Sequence, residues 1–105
     1  MASTLGRKVN ELRRARGLTL EQLARETDSS KSYIWEIENK DVARPSAEKL
    51  SKIAAVLGVT AEFLVDGSQK QATPDVEDQA FFRKYQSADV GVKEKLKKIL
   101  DVLDV

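Results

Sequence analysis

The stretch TLEQLARETDSSKSYIWEI, residues 19–37, constrains this chain more than any other part of it. Leu20, Leu23 and Ala24 recur at helical spacing, and so do Ile34 and Ile37. Between the two sets lies Thr27-Asp28-Ser29-Ser30, too polar to continue an apolar stripe. The spacing predicts two short helices, 20–26 and 31–39, joined by a tight turn at Asp28, a residue type that tolerates a left-handed backbone. Ala24 sits where the two helices cross. A side chain larger than a methyl there would push the second helix off the first.

The flanks extend this pattern into a helical domain. A helix is expected over 4–16, with Leu5, Val9 and Leu12 inward and Gly17 ending it. Thr19 with Gln22 forms a capping box for the second helix, and Ser30 caps the third. Residues 40–45 form a loop. Ser46 caps a fourth helix that carries Leu50, Ile53, Ala54 and Leu57 inward and ends at Gly58. Thr60 caps a short fifth helix holding Phe63 and Leu64. Residues 68–74, SQKQATP, lack a stripe and read as a linker. The expected division is therefore a domain over 1–67, a linker over 68–74 and a helical tail over 75–105. Pro74 with Asp75, Glu77 and Asp78 marks the start of one tail helix, which bears Phe81, Phe82 and Tyr85. A break over 87–91 follows, then a last helix over 92–103. In it Val92, Leu96, Ile99 and Leu103 form a seam of under two heptads, too short to stand alone.

Composition removes whole classes of function. The chain has no cysteine and no histidine, so it lacks thiolate zinc ligands and the commonest general base. Nucleophile–base pairs, phosphate loops and metal clusters are also missing, so neither enzyme activity nor a cofactor is expected. Ser46-Ala47-Glu48-Lys49 formally matches a Ser-x-x-Lys pattern, but its partner motifs are absent and Ser46 is explained as a helix cap. No membrane span is expected, because no apolar run approaches the roughly 18 residues one needs. The first residues lack a secretory core, which leaves the cytoplasm as the expected compartment. With a formal net charge of +1, a case for nucleic-acid binding must rest on where the charges lie.

Residues 5–67 carry Arg13, Gly17-Leu18-Thr19, Glu21-Gln22-Leu23-Ala24, Ser30-Lys31-Ser32-Tyr33-Ile34, Ile37-Glu38-Asn39, Pro45-Ser46 and Leu57-Gly58-Val59-Thr60. In residue type and spacing these resemble the Cro/CI-type, or XRE, helix-turn-helix family of phage and bacterial repressors. The resemblance implies an all-α fold: a five-helix lambda-repressor-like DNA-binding domain followed by a short helical tail. It also implies a sequence-specific transcriptional regulator, most often a repressor, that binds a palindromic operator on double-stranded DNA as a homodimer. Four positions depart from the family pattern. Leu20 stands where members usually carry a DNA-contacting Gln, Asp28 replaces the turn glycine, and Thr27 and Ser29 replace the apolar residues beside it. The last three suggest a looser turn.

By the same resemblance, Lys31, Ser32 and Glu36 occupy base-reading positions, and Tyr33 borders them. Lysine donates to guanine and glutamate accepts from cytosine, so this pair suits neighbouring G and C. Ser30, Asn39, Lys40, Arg44 and Thr19 are the expected backbone contacts, with Arg7, Lys8 and Arg14 as secondary phosphate contacts. Arg13 and Glu38 match a family pair that bridges the first and third helices. Trp35 is expected to pack on the loop around Val42. The tail offers Val92, Leu96, Ile99, Leu100 and Leu103 either as a dimer surface or as a face folded back on the fifth helix. A competing function is an adaptor or antitoxin-type module that takes a protein partner through the tail, with DNA binding secondary.

Overall fold

Every described helix begins on a Ser, Thr or Asp whose side chain accepts the backbone amide three residues on, and these caps set the segmentation of the chain. The structure is a computed structural model that describes residues 3–41, 44–69 and 71–104. Its helices are α1 (Thr4–Ala15), α2 (Leu20–Glu26), α3 (Lys31–Asn39), α4 (Ala47–Leu57), α5 (Ala61–Val65), α6 (Pro74–Ser87) and α7 (Val90–Leu103). The described residues contain no strand, so the fold is all-α. None of these helices is long and apolar enough to cross a membrane.

The core is built where the inward stripes of α1 to α5 meet. Val9, Leu23, Ile34, Ile53 and Leu64 are wholly enclosed, with Ala24, Ile37, Leu57 and Phe63 beside them. Three features of its assembly are not visible in the apolar stripe. Gly6 lies so close to α3 that a Cβ there would overlap the Ile37 carbonyl oxygen. Arg16 donates through Nε to the Leu57 carbonyl at 3.0 Å, satisfying an orphan acceptor at the end of α4. The third is Lys8, expected on the polar side of α1 as a secondary phosphate contact. It is instead buried: its ammonium lies 3.9 Å from the Phe63 ring centroid and donates to the Phe63 and Asp66 carbonyls. Burial holds its pKa below the usual lysine value. Lys8 therefore ties α1 to the end of α5 and is withdrawn from any phosphate.

The tail stands partly apart from this body. Val76, near the start of α6, enters the core and Ala72 packs against it, so α6 is anchored on α4. Farther along, Arg83 donates to the Glu62 carboxylate of α5 at 2.8 Å, a hydrogen bond that lowers the Glu62 pKa. The last helix starts at Val90, two residues earlier than its apolar seam, because Asp89 caps it through the Val92 amide. The break between α6 and α7 is only Ala88 and Asp89. Residues Phe81, Phe82, Ile99, Leu100 and Leu103 are exposed, and α7 has no buried residue. The radius of gyration is 15.1 Å. A compact chain of this length would give about 13 Å, so the tail projects from the domain.

Candidate nucleic-acid interface

The turn between α2 and α3 decides how α3 is presented. Asp28 takes a left-handed backbone at φ 54, and the Ser29 amide reaches back to the Ala24 carbonyl at 2.8 Å, a Schellman-like closure of α2. Thr27 is fully buried, and its hydroxyl donates to the Leu23 carbonyl at 2.8 Å, so the polar group costs little inside the core. The Lys49 ammonium of α4 donates to the Thr27 and Asp28 carbonyls at 2.7 and 2.8 Å. The expectation of a looser turn is thus corrected. Thr27, Ser29 and a brace from α4 replace the usual apolar contacts with hydrogen bonds. Nothing in the sequence marks Lys49 for this task, since it lies 22 and 21 residues from its two acceptors.

A second lock fixes α3 against α1. Arg13 Nε donates to Glu38 Oε2 at 2.7 Å, and its Nη2 donates to Oε1 at 3.0 Å. Asn10 adds a third donor to the same carboxylate at 2.6 Å, and Arg13 Nη1 caps the Leu18 carbonyl at 2.8 Å. The Glu38 side chain is 1% exposed and that of Arg13 10%. The carboxylate raises the Arg13 pKa further above its ordinary value. This bidentate geometry resists rotation of α3 about its own axis.

Held in this way, α3 presents its first turn to solvent. Lys31 and Ser32 are exposed, Glu36 is half-buried, and the Tyr33 ring packs in part against the core. Ser30 is exposed and caps α3 through the Tyr33 amide, while Thr19 is exposed within a complete capping box. At the far end, Asn39 donates to the Trp35 carbonyl at 2.9 Å, and the Lys40 ammonium lies 5.7 Å from the Trp35 ring centroid. Trp35 is 45% exposed, and Val42, on which it was expected to pack, lies outside the described residues. Arg44 is exposed and shares a hollow with Ser3, Thr4 and Asp41. Because α6 packs on α4, the tail leaves the α3 face uncovered among the described residues.

Comparison with known proteins agrees with this geometry. The family model described as Helix-turn-helix matches residues 9–64. The immunity repressor protein of Bacillus phage phi105 is 30% identical over 102 residues, covering 96% of this chain and 67% of that protein. The crystal structure of SinR, a master regulator of biofilm formation, in complex with DNA is similar with a TM-score of 0.56 at 34% identity, covering 59% of this chain and 98% of that one. The complex of SinR with the SinI protein is similar with a TM-score of 0.58 at 25% identity, covering 95% of this chain and 94% of that one. The chain spans two thirds of the length of the phage repressor and 56% of that of Bacillus subtilis SinR. The turn, the locked third helix and the match over 9–64 together place the chain in the helix-turn-helix family of the Cro/CI, or XRE, type.

Proposed function

We propose that this protein is a sequence-specific DNA-binding transcriptional regulator, acting as a repressor, that binds a palindromic operator as a homodimer with α3 in the major groove. One observation carries the reading: Lys31 and Ser32 stand exposed at the start of a helix that Arg13–Glu38 and Lys49 hold in a fixed orientation. The N-terminal residues of a recognition helix are those that reach base edges. Glu36, one turn further on, suits a cytosine amino group, and Tyr33 borders the same surface. Ser30, Thr19, Asn39, Lys40 and Arg44 are assigned to the phosphate backbone around it.

Selection of bound fragments from random duplexes, followed by gel-shift titration across salt, tests this directly. The selected operator should bind far more tightly than random DNA, with affinity falling steeply as salt rises. Lys31→Ala should weaken operator binding by roughly 5- to 150-fold and relax preference at one base pair, with its melting curve unchanged. Equal affinity for all sequences would overturn the reading.

One recognition helix reads few base pairs, so a regulator of this size needs two copies, with half-sites about 34 Å apart. The projecting tail supplies the surface: Val92, Leu96, Ile99, Leu100 and Leu103 lie on α7, and all but the half-buried Leu96 are exposed. An apolar face of this kind on a water-soluble domain is ordinarily covered by a partner. Leu96→Asp is expected to shift the protein to monomers in sedimentation velocity and to weaken operator binding sharply. A dimer that persists in this variant would move the interface elsewhere. A second reading assigns the same face to an unlike protein partner. It is favoured by the similarity, over nearly the whole chain, to SinR in complex with SinI.

A further inference from the structure

The segment 19–39 carries five acids, Glu21, Glu26, Asp28, Glu36 and Glu38, against two bases, Arg25 and Lys31. An excess of acid on a helix pair that approaches a polyanion calls for a reason at each position. Glu38 is consumed by Arg13, and Asp28 lies 3.5 Å from Lys52. Glu26 lines a hollow with Arg16 and Lys84. Glu36 is assigned to base reading above. Glu21 remains. It is the second residue of α2, it is exposed, and its carboxylate lies 3.5 Å from the Lys31 ammonium at the start of α3. Among the described residues it makes the only ion pair between the two helices.

We infer that Glu21 is a specificity-determining positioning residue: it holds the Lys31 ammonium for a base edge and withholds it from phosphates. The inference rests on the reading of Lys31 given above. A lysine is a point charge on a flexible stem, and alone it accepts any phosphate it can reach. Phosphate contacts of that kind carry no sequence information. Glu21 changes the competition. To reach a phosphate, Lys31 must leave its partner and strand a carboxylate beside the polyanion. To donate to guanine O6 or N7, it can stay in the space between the two helix starts, where Thr19, Leu20, Glu21 and Lys31 border an open hollow of about 460 Å³.

The environment explains why the pair matters for selection and not for the fold. Both side chains are more than half exposed, 61% for Lys31 and 65% for Glu21, so in the free protein the pair contributes little. On DNA, water leaves the interface and the same charges interact more strongly. The separation is set by the braced turn, because Thr27 and Asp28 are pinned by Lys49. The pair therefore acts as a counter-charge to non-specific adhesion, and the discrimination comes from a penalty on the wrong site as much as from attraction to the right one.

The test is Glu21→Gln in the full chain, titrated against the selected operator and against random duplex across a salt series. Random-duplex affinity should rise roughly 3- to 10-fold, with a salt slope steeper by up to about one unit. The ratio of operator to random affinity should fall by at least that factor, and the melting curve should not move. Glu26→Gln removes an equal charge from the same helix and should leave the ratio unchanged. In a Lys31→Ala background, Glu21→Gln should no longer alter the ratio, which separates positioning of Lys31 from general repulsion of DNA. An unchanged ratio in Glu21→Gln, or an equal fall with Lys31 absent, overturns the inference while leaving the assignment of α3 intact. A wild-type protein indifferent to sequence overturns both.

Discussion

Replacing Glu38 with alanine is expected to lower the stability of the domain by about 3–5 kcal/mol. The carboxylate accepts from Arg13 twice and from Asn10 once, all within 3.0 Å, at a site 3% exposed. Truncation leaves the Arg13 guanidinium, itself in a residue 8% exposed, with a single carbonyl partner at Leu18. Arginine cannot shed its proton to escape, so the cost is that of an unpaired buried charge. For a domain of this size each kcal/mol lowers Tm by roughly 4–8 °C. The loss should therefore be plain in both urea and thermal unfolding. The pair itself is not expected to be the main source of stability. Arg13→Met combined with Glu38→Leu should recover most of the loss, since apolar replacement of a whole buried pair is often neutral. The recovered double variant should nonetheless bind operator more weakly than wild type, because α3 would keep its packing and lose its bidentate anchor. A loss under about 1 kcal/mol in the single variant would mean that water reaches Arg13 and that the anchor is soft.

Much of this architecture is legible in the sequence because its signals are local. The caps Thr19, Ser30, Ser46 and Thr60 each stand three residues before the amide they satisfy, and each begins a helix where its spacing predicts one. The apolar stripes of α2, α3 and α4 point to the residues that the core encloses. What escapes is long-range and made by flexible side chains. Lys8 reads as a phosphate contact and the spacing assigns no partner to Arg16 or Lys49, yet each ends on a backbone carbonyl in a distant element, 55, 41 and 22 residues away. No periodicity encodes such a partner. The start of α7 is misplaced by two residues for a related reason: the apolar seam marks where a helix can pack, whereas Asp89 marks where it begins. At the interface, the exposed position of Lys31 and Ser32 follows from local spacing. The Glu21 partner does not, because it is brought to Lys31 only by the fold of the turn.

Gly6→Val is the other substitution expected to act strongly, with a loss of about 3 kcal/mol or more, at the upper end of overpacking costs. On helix propensity alone the change is mildly favourable, because glycine is the poorest ordinary helix former. Packing reverses the sign. The first carbon added at Gly6 meets the Ile37 carbonyl oxygen and lies 3.2 Å from that of Glu38. Both are backbone atoms of α3, so neither can rotate aside, and α1 must move. Gly6→Ala should lose less, because its single methyl is partly offset by a propensity gain of roughly 1 kcal/mol. Gly17 supplies the contrast. Nothing lies within 4 Å of a Cβ there, but its φ of 69 is left-handed, so Gly17→Ala should lose only about 1–2 kcal/mol from backbone strain. Urea midpoints should thus fall in the order Gly6→Val, Gly6→Ala, Gly17→Ala, the first unfolding most easily. Gly6 and Arg13 share α1, and Ile37 and Glu38 share α3, so pushing the helices apart also stretches the buried ion pair. Gly6→Val combined with Glu38→Ala should therefore lose less than the sum of the two, as expected for neighbours that share a strained contact. Strict additivity would show instead that α1 pivots about Arg13, leaving the anchor of α3 intact while the N-terminal end of α1 swings outward.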